Sequence, residues 1–475
     1  MSLAATRSSG RIVRWLGRAS VVMVAALAGA MATSPSLARV AIAAGIALLL
    51  VTAVLHRLAL GMYALVVWLA TFASFRRITT GIATGFSLGD PLLLVGPAIL
   101  GALMLVAIRR GAFRGRTRLT YAVMTLAGAL TLSALNPSQG VLEVGLGGAV
   151  IVVVPMFAFF VGRTLVSDAV LRRVLGLYAG LAVLAAGYGL MQTFSGFPSW
   201  DQRWVTESGY AALNVNGVIR AFGSFASGAE YAGFLVVGAV CWLTLGFASR
   251  WRPFVLPAVA LLTVAVWYES QRTAVVLLVL SIGSVVAARL GLPFWRSLLL
   301  GVVFVAALPW IVGRLAPASF GADTGSQLVA HQVSGLVDPF GKNSSLPGHI
   351  DIATEGITSA VREPLGRGVG SVTIAARKLG DGNSGGSVEA DPGNAALAAG
   401  ILGLGAYLLV LIEGIRRAYG RARRERAPLA LAALGALFAT LFQWLNGGQY
   451  AVVIVPWLVL GWSDRPARVA DRELS

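Results

Sequence analysis

Charge is what this sequence has least of. Of its 475 residues 12% are charged while 57% are hydrophobic, and the mean hydropathy is +0.79; soluble globular domains carry about 25% charged residues. A soluble enzyme is therefore excluded, even one preceded by a signal peptide. Cysteine is nearly absent: Cys241 alone allows neither an intrachain disulfide nor a cysteine-rich zinc site, and its place in an apolar run suits a small core residue. Lysine is almost missing too, with only Lys342 and Lys378, so nearly all the positive charge is arginine. No P-loop and no glycine-rich nucleotide fingerprint after a strand occurs, which leaves ATP or nucleotide-sugar handling unsupported. The alternation of barrel strands is lacking as well, because the apolar runs are continuous.

What is present is a series of runs of membrane-spanning length, about 17 to 25 residues each. They fall near 20–34, 38–55, 58–75, 91–108, 119–134, 141–162, 174–194, 229–248, 254–269, 273–288, 297–313, 393–415, 428–446 and 449–463. The expected fold is an all-α polytopic membrane protein of about 12–14 spans, the lower count applying if 20–34 or 449–463 does not cross. The chain divides into N-terminal spans (1–194), central spans (195–313), one long polar loop (314–392), and C-terminal spans with a tail (393–475).

Thirty-eight basic against 20 acidic residues give a net charge of +18. In a soluble protein that would point to nucleic acid, but here it reports topology through the positive-inside rule, so no nucleic-acid partner is expected. With fourteen spans, six arginine clusters share one face with the tail after Trp462: Arg7 to Arg18, Arg109 to Arg118, Arg163 to Arg173, Arg250 with Arg252, Arg289 to Arg296, and Arg416 to Arg426. That face is expected to be cytoplasmic, with both termini inside and the chain in the cytoplasmic membrane. Arg76 and Arg77 conflict with it, falling outside. No internal repeat of fixed period is visible.

Two extracytoplasmic segments then stand out, 195–228 and the much longer 314–392. Structureless loops beyond about 12 to 15 residues are usually functional or disordered, so chemistry is expected here. Apolar positions Ile350, Ile352, Ala353, Ile357 and Ala360 follow a helical period, and Pro364 would stop that helix.

Four motifs carry candidate chemistry. Arg220-Ala-Phe-Gly-Ser-Phe leads to Glu230 at a span entrance, where a forked guanidinium suits phosphate oxygens, unless the arginine only snorkels to water. Arg272, in Glu269-Ser-Gln-Arg272, lies in a short turn between apolar spans, where ionisable groups tend to mark sites and where Glu269 could also simply neutralise it. His349 and Asp351 open the amphipathic segment, which runs on to Glu363-Pro-Leu-Gly-Arg367-Gly368-Val-Gly370, whose glycines allow close approach of backbone to a ligand. Finally, Glu389-Ala-Asp391-Pro-Gly-Asn394 leads into the span holding Gly400-Ile-Leu-Gly403, where Asp391 could be no more than an N-cap.

In this order, across roughly 210–405, the motifs resemble those of the O-antigen ligase and O-antigen polymerase superfamily. Arg220-Ala-Phe-Gly-Ser-Phe is similar to its Arg-x-x-Gly-Thr-Phe entrance, Ser270-Gln-Arg272 to its Ser-x-Arg turn, and Pro364 to Gly370 to its Pro-Leu-x-Gly-x-Gly stretch. Asn394 with Gly400-Ile-Leu-Gly403 is similar to its closing element, although Gly393 stands where the family often has histidine. The resemblance implies a GT-C-like glycosyltransferase without cofactor or metal. Its donor would be a glycan on a polyprenyl pyrophosphate, its acceptor the hydroxyl of a glycan or glycolipid, and its reaction ligation or polymerisation of a surface polysaccharide. Arg220 and Arg272 would hold the pyrophosphate, with Glu230, Arg367 and Asn394 as further substrate contacts. Asp391, then Glu389 and His349, are the candidates for the general base that Gly393 cannot supply. A transporter or flippase of lipid-linked sugars is the alternative, but it would place its polar groups at the bilayer midplane in broken spans. A structural membrane protein would leave the motifs unexplained.

Overall fold

In hydrocarbon every backbone polar group must be satisfied within the protein, which restricts spanning segments to helices and closed barrels. The computed structural model accordingly consists of helices joined by short connections. It describes residues 35–83, 90–208, 213–215, 217–317, 319–341, 346–380, 390–446 and 448–465. The expected first run, 20–34, the Arg7 to Arg18 cluster and Glu389 lie outside these residues.

The helices are α1 (Pro35–His56), α2 (Leu58–Ala83), α3 (Val95–Arg109), α4 (Arg118–Ser133), α5 (Leu142–Leu165) and α6 (Asp168–Ser195). A short α7 (Ser199–Ser208) and a two-residue hairpin, β1 (Asn214–Val215) with β2 (Val218–Ile219), lead to α8 (Gly228–Cys241). Then come α9 (Val255–Glu269), α10 (Arg272–Arg289) and α11 (Phe294–Leu315). The long loop folds into α12 (Thr324–Val337), α13 (Leu346–Arg362) and α14 (Ile374–Leu379), and the chain closes with α15 (Asp391–Glu425), α16 (Pro428–Ala439) and α17 (Tyr450–Ser463). Among the described residues ten helices are long and apolar enough to cross a membrane, so the chain is a multi-pass membrane protein.

Local chemistry sets many of the boundaries. Side-chain oxygens of Thr117, Ser167, Ser227 and Asp323 accept from the backbone amides of Thr120, Val170, Glu230 and Ser326 and so start α4, α6, α8 and α12. The amphipathic helix expected from Ile350 is present as α13 and stops at Arg362, two residues before Pro364.

The core runs through α8, α16 and α17, whose side chains are buried almost end to end. α11 is the outer extreme: only 17% of its apolar window is buried, and Leu298, Val302, Trp310 and Leu315 face outward as a lipid-contacting wall would. α17 lies directly on α5. A Cβ on Gly461 would come within 1.9 Å of Phe159 O, and one on Gly162 within 2.2 Å of Leu458 O, so only glycines permit this close crossing.

Two elements depart from expectation. The run 428–446 yields a helix of only 12 residues, after which the backbone bends through Phe442, at φ +63°, before α17. A 12-residue helix is about 18 Å long, short of the ~30 Å hydrocarbon core. Phe442 itself is exposed, but Thr440, Trp444 and Leu445 on either side of the bend are buried in protein, where irregular backbone is tolerated. α15 is broken nine residues in: Gly400 has φ +62° and ψ −146°. The amides of Arg367 and Gly368 donate to the carbonyls of Leu397 and Ala398, at 2.6 and 3.0 Å, and Ile401 N donates to Pro364 O at 3.2 Å. The Pro364–Gly370 loop thereby satisfies backbone groups that the break releases.

Gly461→Val is expected to lower stability by about 3 kcal/mol, the upper range of overpacking costs, because its contact is backbone and cannot yield. Gly128→Ala, in α4 with nothing within 4 Å of a new Cβ, is expected to be neutral or stabilising. Thermal unfolding of the two variants in detergent checks the contrast.

Candidate functional site

The Arg220 motif is shaped from the side by α2 and α6. Arg77, on α2 and only 2% exposed, pairs its Nε with Asp201 of α7 at 2.7 Å. The same guanidinium donates to Gly223 O at 2.8 Å and to Phe225 O, and lies 4.9 Å over the Phe222 ring. Ser74 adds a backbone and a hydroxyl bond to Ser224 O. From α6, Gln192 accepts the amides of Phe222 and Gly223 at 3.1 and 2.8 Å and donates to Asp201 at 2.7 Å. The loop Ala-Phe-Gly-Ser-Phe after Arg220 is thus fixed at nearly every residue. The conflict of Arg76 and Arg77 with the charge rule finds its reason here: Arg76 pairs at 2.7 Å with Asp90, which Arg39 also binds, Arg77 pairs with Asp201, and Arg76 and Arg77 are both buried structural parts.

Fixing that loop sets Arg220 beside the end of α9. Its Nη1 lies 3.5 Å from Glu269 Oε1, and the carboxylate is fully buried. Gly228 makes the room, since a Cβ there would fall 2.4 Å from that oxygen. Ser270 turns the chain in the left-handed region, at φ 67°, and α10 begins at once with Arg272.

α12 roofs this turn. Ser270 Oγ donates to Leu328 O at 3.0 Å, and Arg272 Nη2 donates to His331 O at 3.3 Å while lying 3.5 Å from His331 Nε2. Gly335 completes the cradle, because a Cβ there would overlap Arg272 Cζ at 1.7 Å. Burial, then the Arg272 and Arg220 charges, hold the His331 imidazole below the ordinary value of 6.5, so it is neutral at neutral pH. The resulting cluster has two guanidinium groups, one carboxylate and one neutral imidazole. Its surplus of one positive charge suits an oxyanion, and its imidazole can accept a proton.

The other expected residues sit elsewhere. Glu230 is buried in α8 and accepts the amide of Ala451 at 3.0 Å, holding the start of α17. Asp391 occupies the first turn of α15 but is no N-cap: its carboxylate accepts from Tyr407 Oη at 3.0 Å and from the Trp444 amide, tying the bent segment after α16 to α15. Asn394 is buried three residues further along α15. His349 lies in the first turns of α13, and Arg367, largely exposed, is bound by Glu363 at 2.6 and 2.8 Å. The glycines of this stretch meet protein: Cβ atoms on Gly366, Gly368 and Gly370 would strike Ala398, Gln139 and Val144 within 2.7 Å. Among the described residues no group of three or more His, Cys, Asp and Glu could hold a metal ion.

Sequence reasoning missed His331 and Arg77. The available signal for His331 was slight: it is one of three histidines in the chain, in a polar loop already singled out. The chain matches no known protein-family model and no curated protein.

Arg77→Ala should destabilise the fold by about 3–5 kcal/mol, because Asp201 would be left buried without its counter-charge. Arg77→Lys should recover only part of this loss, since an ammonium cannot make the same fork. Chemical denaturation in detergent distinguishes the two outcomes.

Proposed function

We propose that the chain is a membrane glycosyltransferase that ligates or polymerises a surface polysaccharide, taking its glycan from a polyprenyl pyrophosphate carrier. The observation that carries this reading is the convergence of Arg220, Arg272 and His331 at one end of α9 and α10, under the roof of the folded loop. The acceptor hydroxyl oxygen attacks the anomeric carbon of the donor sugar, and the bond from that carbon to the phosphate oxygen breaks. The pyrophosphate departs with the electron pair. Arg220 and Arg272 stabilise the charge it gathers, the kind of fixed electrostatic aid that is worth about 10²–10³ in rate per donor.

His331 takes the hydroxyl proton in this scheme. It is neutral at neutral pH and beside the arginines, whereas one oxygen of Asp391 already accepts two bonds from its own surroundings. Glu269 sets the orientation of Arg220.

The two ends of the bundle support the membrane orientation of this reading. Arg163 donates to the carbonyls of Ala112, Arg114 and Gly115 and pairs with Asp464, which Arg417 also binds at 2.6 Å. Arg423 donates to Gly291 O at 2.8 Å. Several arginine clusters thus gather at the end where α10 finishes, opposite Arg272. By the positive-inside rule that end is cytoplasmic, so the Arg220 cluster faces out of the cytoplasmic membrane, where a lipid-linked glycan and its acceptor meet. A flippase would use its broken helix to bind cargo, but the backbone pairing of the α15 break with the Pro364–Gly370 loop favours the enzyme.

The deciding experiment supplies purified protein with a lipid-pyrophosphate oligosaccharide and follows chain lengthening or transfer to a second acceptor. Arg220→Ala and Arg272→Ala should each cost at least ~10²-fold in kcat; unchanged turnover in both would sink the reading. The wild-type rate should fall on the acid side with an apparent pKa below 6.5, since protonation removes the base. His331→Gln should lose that limb with most of the activity, while Asp391→Asn should act chiefly through stability.

A further inference from the structure

At the opposite end of the bundle, α8 passes from Cys241 into a π-helical turn, Trp242–Gly246. Such turns displace a helix face and often accompany functional sites. Beside it lies a cavity of about 590 Å³ between α8, α10 and the start of α16, lined by Val240, Leu243, Phe247, Ile282, Val285 and Leu431 among others. This is within the size range of small-molecule sites, about 300–1,000 Å³. Thr244 adds no polarity, because its hydroxyl donates to Val240 O at 2.7 Å.

The mouth is different. Arg289 belongs to the lining, is exposed, and makes no hydrogen bond or ion pair among the described residues. Arg426 lies against Gly291, two residues on, and Arg423 donates to the carbonyl of the same glycine. α16 begins here with no side chain capping its amides, so its positive helix end adds to the arginines. Phe247 and Val286 are 44% and 47% exposed, so the cavity opens on the flank of the bundle, where acyl chains would pack.

We propose that this cavity binds an anionic bilayer phospholipid, one acyl chain lying between α8 and α10 and the phosphate resting on Arg289. Apolar walls exclude a free phosphate, and the unpaired cation at the rim selects an anionic over a zwitterionic head group. Arg272 and Arg289 stand at opposite ends of α10, about 25 Å apart along its axis, so the site is separate from the Arg220 cluster and does not rest on the proposed reaction.

Native mass spectrometry of the delipidated full chain, titrated with phosphatidylglycerol and phosphatidylcholine of equal chain length, tests this. One phosphatidylglycerol should bind about fivefold or more tighter than phosphatidylcholine, the difference that one arginine near an anionic lipid supplies. Arg289→Gln should bring the two lipids level. Ala248→Trp and Val286→Trp, which fill the mouth, should weaken both lipids; unchanged unfolding midpoints in detergent would show that either variant is folded. Equal affinity for the two lipids in the wild type, no effect of Arg289→Gln, or unweakened binding in a folded tryptophan variant would each overturn the proposal. A polyprenyl phosphate that outcompetes phosphatidylglycerol would replace the phospholipid with a carrier lipid and overturn it equally.

Discussion

The pairing of Arg77 with Asp201 governs the rest. Neither charge could remain alone in a place so poor in water, and a guanidinium has donors to spare once its carboxylate is bound. Those spare donors reach Gly223 O and Phe225 O, while Gln192 bridges the same aspartate to the amides of Phe222 and Gly223. A requirement of burial thus becomes a device of placement. The loop cannot shift without exposing an ion pair, and Arg220 is delivered to Glu269 as a consequence.

The two ends of the bundle use arginine differently. At one end Arg163, Arg417 and Arg423 bind Asp464 or stray loop carbonyls, so their charge is spent on closing the structure. At the other, Arg220 pairs with the single carboxylate of Glu269 while Arg272, without a carboxylate of its own among the described residues, contacts a neutral imidazole. Excess positive charge left beside a helix turn is unfavourable unless an anion completes it, and this difference is why the proposed reaction is assigned to the second end.

Hydropathy made the helices legible because apolar length is imposed by the bilayer and written locally. The expected runs from 38–55 to 297–313 each contain or closely overlap a helix, and α13 ends where Pro364 requires. The tightness of the Ser270 turn was within reach for the same reason, being local, but the partner of Glu269 was not: the sequence sets that carboxylate beside Arg272, and the fold gives it to Arg220, 49 positions away. What escaped were relations across long separations. Arg77 meets Asp201 from 124 positions away, and nothing near either residue announces the other. His331 meets Arg272 only because α12 folds back over the turn, and α12 is less strongly patterned than α13. The glycines at 366, 368 and 370 resembled a ligand cradle because sequence shows that backbone approaches closely, not what it approaches.

The shortness of α16 bears on how the chain is assembled. A helix of twelve residues followed by a bent, hydrogen-bonding segment has no stable resting place in lipid by itself, since its terminal carbonyls and the turn at Phe442 would face hydrocarbon. It becomes tolerable only once α8 and α10 flank it and Asp391 has taken the Trp444 amide. Biogenesis of this protein therefore cannot be a simple sequence of independent helix insertions: its final hairpin must enter as a guest of helices already in place.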